Sequence, residues 1–324
     1  MIEKILPDLY RIEIPLPRNP LKAINAYVIK SPERNLIIDT GLNRKECMNV
    51  MQAGLRELEV DLKKTEFFIT HLHADHIGLV SSLTTEDSII YFNQAESKRI
   101  GILGYWEDFL DFARTHGFPE HELEKALSNH PALKYGPDRE LAFTYLGEND
   151  TLKIGDYRFI VTETPGHTWN HLCLYEPDKK ILVAGDHILN DITPNIQLWA
   201  NDMNPLKLYL ASLDKIYDYD IELVLPGHRG TFRNCRERIR ELKEHHRKRL
   251  DEVLSILKEG VKSAYQVASY MTWDITSEDG TWEGFPVPQK WFAMGEAMAH
   301  LKYHEEEGLV QREMEGEIFR FSLK

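Results

Sequence analysis

Four short apolar runs in this 324-residue chain end at residues of one chemical kind. EFFIT (66–70) runs into HLHADH (71–76), and YRFIVTET (157–164) into Pro165-Gly166-His167. KILVAG (180–185) runs into Asp186, and IELVLP (221–226) into Gly227-His228. Runs of this length, rich in branched and aromatic residues, read as strands. Open α/β sheets hold their ligands at the carboxyl ends of strands. The first cluster is unlike an accident: with 14 His in the chain, three at this spacing arise by chance about 0.03 times per chain. His and Asp clustered at a strand end point to a metal. One Zn-type ion takes about four N and O ligands, and two clustered ions take more, so the other three strand ends become candidate sources. Glycine directly before His167 and His228 permits a tight turn that aims the next side chain off the strand end.

The remaining pattern is α/β. Further strand candidates are 24–30, 35–39, 88–92 and 172–176, and helices begin at Lys45 and at Pro205, the latter with Asn204 as N-cap. Residues 94–148 look helical, with no strand between them, as an insertion in the α/β unit. Tyr105, Trp106, Phe109 and Phe112 recur there at helical spacing, a stripe that more often builds core than faces a ligand. An inserted segment of this kind can also cover a site. Beyond Gly230 the chain reads as one long charged helix (234–258), a helix capped by Ser263, a loop, a helix (289–308) and a hairpin turning at Glu315-Gly316. That order is the layout of a winged-helix module. The expected division is a catalytic domain at 1–232 and a helical linker with a small winged-helix-like domain at 233–324.

Composition narrows the partners. No run of 18 apolar residues exists, so no membrane span is expected. The opening MIEKILPDLYRIEIP mixes acids with its apolar residues and does not read as a secretory signal. A formal net charge of −13 disfavours a nucleic-acid polyanion. Cys47, Cys173 and Cys235 are far apart, odd in number and outside any Cys-x-x-Cys, which fits reduced thiols in a cytoplasmic protein.

HLHADH at 71–76, PGHT at 165–168, GD at 185–186 and PGH at 226–228, in that order, resemble the metallo-β-lactamase-fold hydrolases, and most of all their glyoxalase II-like branch. HHRKR at 245–249 and the tail after it resemble the β-lactamase-like 2 group, which carries a C-terminal winged-helix domain. The resemblance implies an αββα sandwich with two metals. His71, His73 and His167 would hold the first, Asp75, His76 and His228 the second, and Asp186 would bridge them. Asp39, in IIDTG, would support the metal loop from beneath. Such donors suit Zn(II), with Fe or Mn as alternatives. A hydroxide activated by both metals would attack a small ester, thioester or lactone, with Asp75 orienting it or handling a proton. The alternatives are a ribonuclease or phosphodiesterase, and a dioxygenase using one iron. Leu189 stands where some lactonases place a Tyr, and the tail does not resemble a glutathione site, which argues against both substrates. Glu296, Glu305, Glu306 and Glu307 outnumber Lys290 and Lys302 in the helix that would read nucleic acid, where phosphate binding needs basic residues in excess. The C-terminal module is therefore expected to pack on the catalytic domain, shape its pocket or make a homodimer contact. His171 and His187 neighbour the metal positions as candidate supports. His116, His121, His130, His245, His246, His300 and His304 read as surface or packing residues.

Overall fold

The strands at the centre of the chain have no polar face because both of their faces are covered. In the computed structural model the described residues are all but 18, 101, 102, 202 and 275–280, and the side chains of 103–105, Tyr105 among them, also lie outside the description. One sheet runs in the order β1 (Ile2–Leu6), β2 (Leu9–Pro15), β3 (Ala23–Ile29), β4 (Asn35–Ile38), β5 (Thr65–Phe68), β6 (Ile90–Phe92), β7 (Thr144–Tyr145). It is antiparallel through β4 and parallel from there on. A second sheet comprises β8 (Thr151–Ile154), β9 (Tyr157–Glu163), β10 (Leu172–Glu176), β11 (Ile181–Gly185) and β12 (Leu223–Pro226), with only the β11–β12 pair parallel.

Alternate residues of β3 to β5 go to different cores. Tyr27, Ile29, Leu36, Ile38 and Phe68 meet Leu152, Phe159, Val161, Leu174 and Val183 of the second sheet, forming the face-to-face layer of a sandwich. Ala26, Val28, Ile37 and Phe67 face the other way. There they pack with Cys47, Met51 and Leu55 of α1 (Lys45–Glu57), and with Ala74, Ile77 and Val80 of the short helices α2 (Ala74–Ile77) and α3 (Val80–Leu83). This mixed α/β sandwich is the fold class that the sequence led us to expect.

The 94–148 segment is mostly helical, with α4 (Gln94–Ser97), α5 (Leu103–Thr115), α6 (Glu120–Ser128) and α7 (Pro131–Tyr135). The expectation that it holds no strand is corrected by β7, which pairs parallel with β6. β7 has two exposed residues at a sheet edge, too few to print an alternating pattern. β1, β2 and β8 were also not among the expected strands. β1 is largely exposed or half-buried and lacks an apolar run.

Contacts divide the chain into two compact units, each assembled from separate stretches. The first comprises 1–100, 131–194 and 214–239, and the second 101–130, 195–213 and 240–324. Helix α8 (Pro205–Tyr217) begins where the sequence placed it and α9 (Cys235–Lys258) one residue later, and Asn204 caps α8 by accepting the Lys207 N–H at 3.0 Å. In the second unit α10 (Ala264–Tyr270) starts on a capping box between Ser263 and Gln266. It is followed by α11 (Val287–Glu306) and the hairpin β13 (Val310–Glu315)–β14 (Ile318–Leu323). Trp291 of α11 stacks on Trp199 with centroids 4.0 Å apart, and Phe109 and Phe112 of α5 lie 6.5 and 6.3 Å from Trp199. Of the described part of the aromatic stripe, Phe112 is core of this unit, and Trp106 and Phe109 are half-buried. His116, His246, His300 and His304 are buried there as packing residues.

Candidate metal centre

HLHADH folds as a strand exit followed by one helical turn, and that local path fans out its side chains. His71 lies just past β5. His73 is the N-cap of α2, its carbonyl accepting the N–H groups of His76 and Ile77 at 2.9 and 3.1 Å. Asp75 and His76 sit in the turn itself. The loops after β9, β11 and β12 add His167, Asp186 and His228.

All seven expected donors come together within the first unit. Donor atoms of His71, His73, His167 and Asp186 lie within 4.8 Å of one another, as do those of Asp75, His76 and His228. His71 Nε2 and His167 Nε2 approach His73 Nδ1 at 2.9 and 3.1 Å. Asp186 faces both groups: its Oδ2 is 3.6 Å from His167 Nε2 and 3.4 Å from His228 Nε2, and its Oδ1 is 3.4 Å from His76 Nε2. Asp75 Oδ2 is 3.4 Å from His228 Nε2.

Behind these donors, hydrogen bonds set the ring orientations. Asp39 is buried, with a left-handed backbone (φ 57°). Its Oδ1 accepts the Thr70 N–H at 2.9 Å, and its Oδ2 accepts the Thr70 hydroxyl at 2.9 Å and His76 Nδ1 at 2.8 Å. With that hydroxyl committed to Asp39, Thr70 Oγ1 accepts His71 Nδ1–H at 2.9 Å, leaving His71 Nε2 with its lone pair inward. His228 Nδ1 donates to the Ala23 carbonyl at 2.7 Å, which turns its Nε2 inward as well. His171 accepts the Asp186 amide on Nε2 at 3.1 Å and pairs through Nδ1 with Thr164 Oγ1 at 2.9 Å, so it holds the backbone of Asp186.

Two glycines make room for this packing. A methyl group on Gly185 (φ 47°) would lie 2.9 Å from Thr70 Cβ, and one on Gly227 would lie 2.8 Å from His76 Cε1.

Charge is arranged unevenly across the site. Burial, with the neighbouring imidazoles, presses His71 well below the ordinary histidine range and takes His73 down to about 3, so both are neutral. Burial alone would lower His76 and His228, but the carboxylates outweigh it. Asp39 and Asp186 hold His76 well above its ordinary value, and Asp186 and Asp75 bring His228 to about 10. Burial would likewise raise the acids. The imidazoles of His228, 3.4 Å away, and of His76 instead lower Asp75 to about 2, while the charges of His228 and His76 hold Asp186 well below the carboxylate range.

The residues fit a metal on this geometry. His76 Nε2, His228 Nε2 and Asp186 Oδ1 are buried, point at one another, and make no hydrogen bond among the described residues. Buried polar atoms rarely stay unpaired, and converging imidazole and carboxylate donors of this kind are what a divalent cation binds.

Two supporting residues escaped the sequence reading. Glu96 is fully buried and accepts the Leu72 N–H at 3.0 Å and the Asn170 N–H at 2.8 Å. Burial raises its carboxyl, and the Asn170 amide opposes that rise. Asn25, also buried, donates Nδ2 to the carbonyls of Pro226 and Arg229 at 2.9 and 2.7 Å, fixing the loop that carries His228. A lone Asn inside the apolar run AINAYVI was a usable signal for it. Nothing local marked Glu96.

Known proteins match the same regions. The metallo-beta-lactamase superfamily pattern covers residues 20–228, and that of the metallo-beta-lactamase-like C-terminal domain covers 285–324. A probable metallo-hydrolase of Bacillus subtilis is 26% identical over 97% of this chain and 97% of its own length. An acyl-coenzyme A thioesterase of Homo sapiens is 24% identical over 64% of this chain and 74% of its own. The crystal structure of a metallo-beta-lactamase family protein from Thermus thermophilus superposes with a TM-score of 0.81 at 28% identity, covering 99% of this chain and 100% of that one. With the family pattern running from β3 through β12 to His228, this chain belongs to the metallo-β-lactamase superfamily of hydrolases.

Proposed function

We propose that this protein is a two-metal hydrolase of a small thioester or ester. His71, His73 and His167 would hold one ion, Asp75, His76 and His228 the other, and Asp186 would serve both. Zn(II) is the first choice for such imidazole and carboxylate donors, with Fe or Mn as alternatives. The observation that carries the reading is the position of Asp186, 3.4–3.6 Å from His76, His167 and His228 at once. The second donor group is complete, which favours two ions over the single iron of a dioxygenase. When bound, the metals supply Lewis acidity and bring the pKa of water from about 15.7 towards 7.

The chain's own residues do the rest. Asp39 fixes His76 directly and His71 through Thr70. Asp75, with its carboxyl at about 2, stays ionised near neutrality and offers Oδ2 only as an acceptor, which suits orienting a water O–H better than storing a proton.

A thioester is favoured because one relative is named an acyl-coenzyme A thioesterase. Helices α10 and α11 followed by a two-stranded hairpin support the winged-helix-like reading of the C-terminal region. A nucleic-acid role draws little support from α11, since most of its residues are buried, Lys290 pairs with Glu122 at 2.8 Å, and Lys302 faces Glu305 and Glu306. Metal analysis of the purified protein, followed by thioester, lactone and phosphodiester panels, tests the proposal. About two ions per chain and thioester turnover are expected. Turnover of phosphodiesters alone would overturn the substrate, and a protein that retains no metal would overturn the mechanism.

A further inference from the structure

Glu96 is a fully buried carboxylate whose two oxygens accept main-chain amides beside the centre. It sits in α4, whose turn is capped by Asn93 accepting the N–H groups of Ala95 and Glu96 at 2.8 and 3.3 Å. Its two oxygens are divided between two loops. Oε2 takes the amide of Leu72, which lies between His71 and His73, and Oε1 takes the amide of Asn170, three residues past His167.

A buried carboxylate is costly to desolvate, and its retention calls for hydrogen bonds that an apolar side chain cannot replace. We infer that Glu96 is a positioning residue that couples the 71–73 loop to the 167–170 loop and so holds His71, His73 and His167 in register for one metal. Asp75 and His76 follow Leu72 closely in the chain but are held separately by α2 and Asp39, and His228 is held by Ala23 and Asn25. The inference rests on the proposal that the two donor groups bind metal.

Glutamine at 96 keeps the shape but replaces one acceptor oxygen with an NH2, which would face an N–H. The test measures Zn(II) affinity by chelator competition in backgrounds that isolate each group. His228→Ala leaves the first group and His167→Ala leaves the second. Adding Glu96→Gln to His228→Ala should weaken Zn(II) by about 10–100-fold, the usual cost of losing an outer partner. It should also shift the Co(II) ligand-field spectrum. Adding it to His167→Ala should leave affinity and spectrum unchanged.

Equal weakening in both backgrounds would mean a general loosening, and no weakening in either would mean that the clamp is idle; either result overturns the inference. If Glu96→Gln does not fold, Glu96→Asp, which retains the charge on a side chain one methylene shorter, must show the same selective loss. Failure of the wild-type protein to bind metal would instead overturn the metal proposal, and this inference with it.

Discussion

Gly227 stands between Asp186 and His76 with no space for a side chain. A methyl group there would overlap Asp186 Oδ1, lie 2.8 Å from His76 Cε1, and lie 3.2 Å from the Gly185 carbonyl carbon. Non-bonded carbon contacts sit near 3.5–4.0 Å, so Gly227→Ala must push the His76 ring by roughly 0.7 Å and the carboxylate by about 1 Å. Neither can yield easily: His76 is pinned by Asp39, and the Asp186 backbone is pinned by His171. Overpacking of this sort costs about 1–3 kcal/mol of stability. A displacement of about 1 Å in a reacting constellation costs on the order of 100-fold in rate. Gly227→Ala should therefore bind Zn(II) more weakly, melt at a lower temperature and lose about 100-fold in kcat/KM. Gly230→Ala is the matched control, three residues along the same loop, where a methyl group meets nothing within 4 Å. Chelator competition, thermal melts and thioester turnover on the pair read the effect. A Gly227→Ala protein indistinguishable from Gly230→Ala would refute the claim that this contact sets the positions of Asp186 and His76.

Three further outcomes follow from the donors and the residues behind them. Asp39→Asn removes one anionic acceptor from a residue that serves His76 and, through Thr70, His71, so Zn(II) affinity should fall about 10–100-fold in both donor groups, unlike the one-sided loss expected at Glu96. Isolating each group with the His228→Ala and His167→Ala backgrounds checks this. The elevated His76 and His228 carry protons at pH 7, which metal must displace, so Zn(II) binding should release protons and weaken as pH falls. Titration calorimetry in buffers of different ionisation enthalpy measures the release, and its absence would contradict the raised values. In chelator-treated protein the sign is opposite. A histidine raised from 6.5 to about 10 contributes stability that is complete below 6.5 and is lost as pH rises through about 10. Melting temperature should accordingly decline across that window, and the decline should vanish when metal is bound.

The sequence by itself pointed to the seven residues that come together as candidate donors. Metal chemistry admits few residue types, and placing His71, His73, Asp75 and His76 within six positions leaves a pattern that packing does not produce. The strands that carry His167, Asp186 and His228 were equally plain, because each is rich in branched and aromatic apolar residues and mostly buried. Asn204 marked the start of α8 because a cap is a local interaction. The tertiary structure decided what reaches across the chain. Glu96 meets Asn170, 74 positions away, and Asn25 meets Pro226, 201 positions away. No period or spacing records such a bond, since it exists only once the sheets have brought separate loops together. The same holds for the two compact units, in which 101–130 and 195–213 group with 240–324. Local propensity specifies an element and its ends, but which elements share a core depends on matching surfaces far apart in the chain.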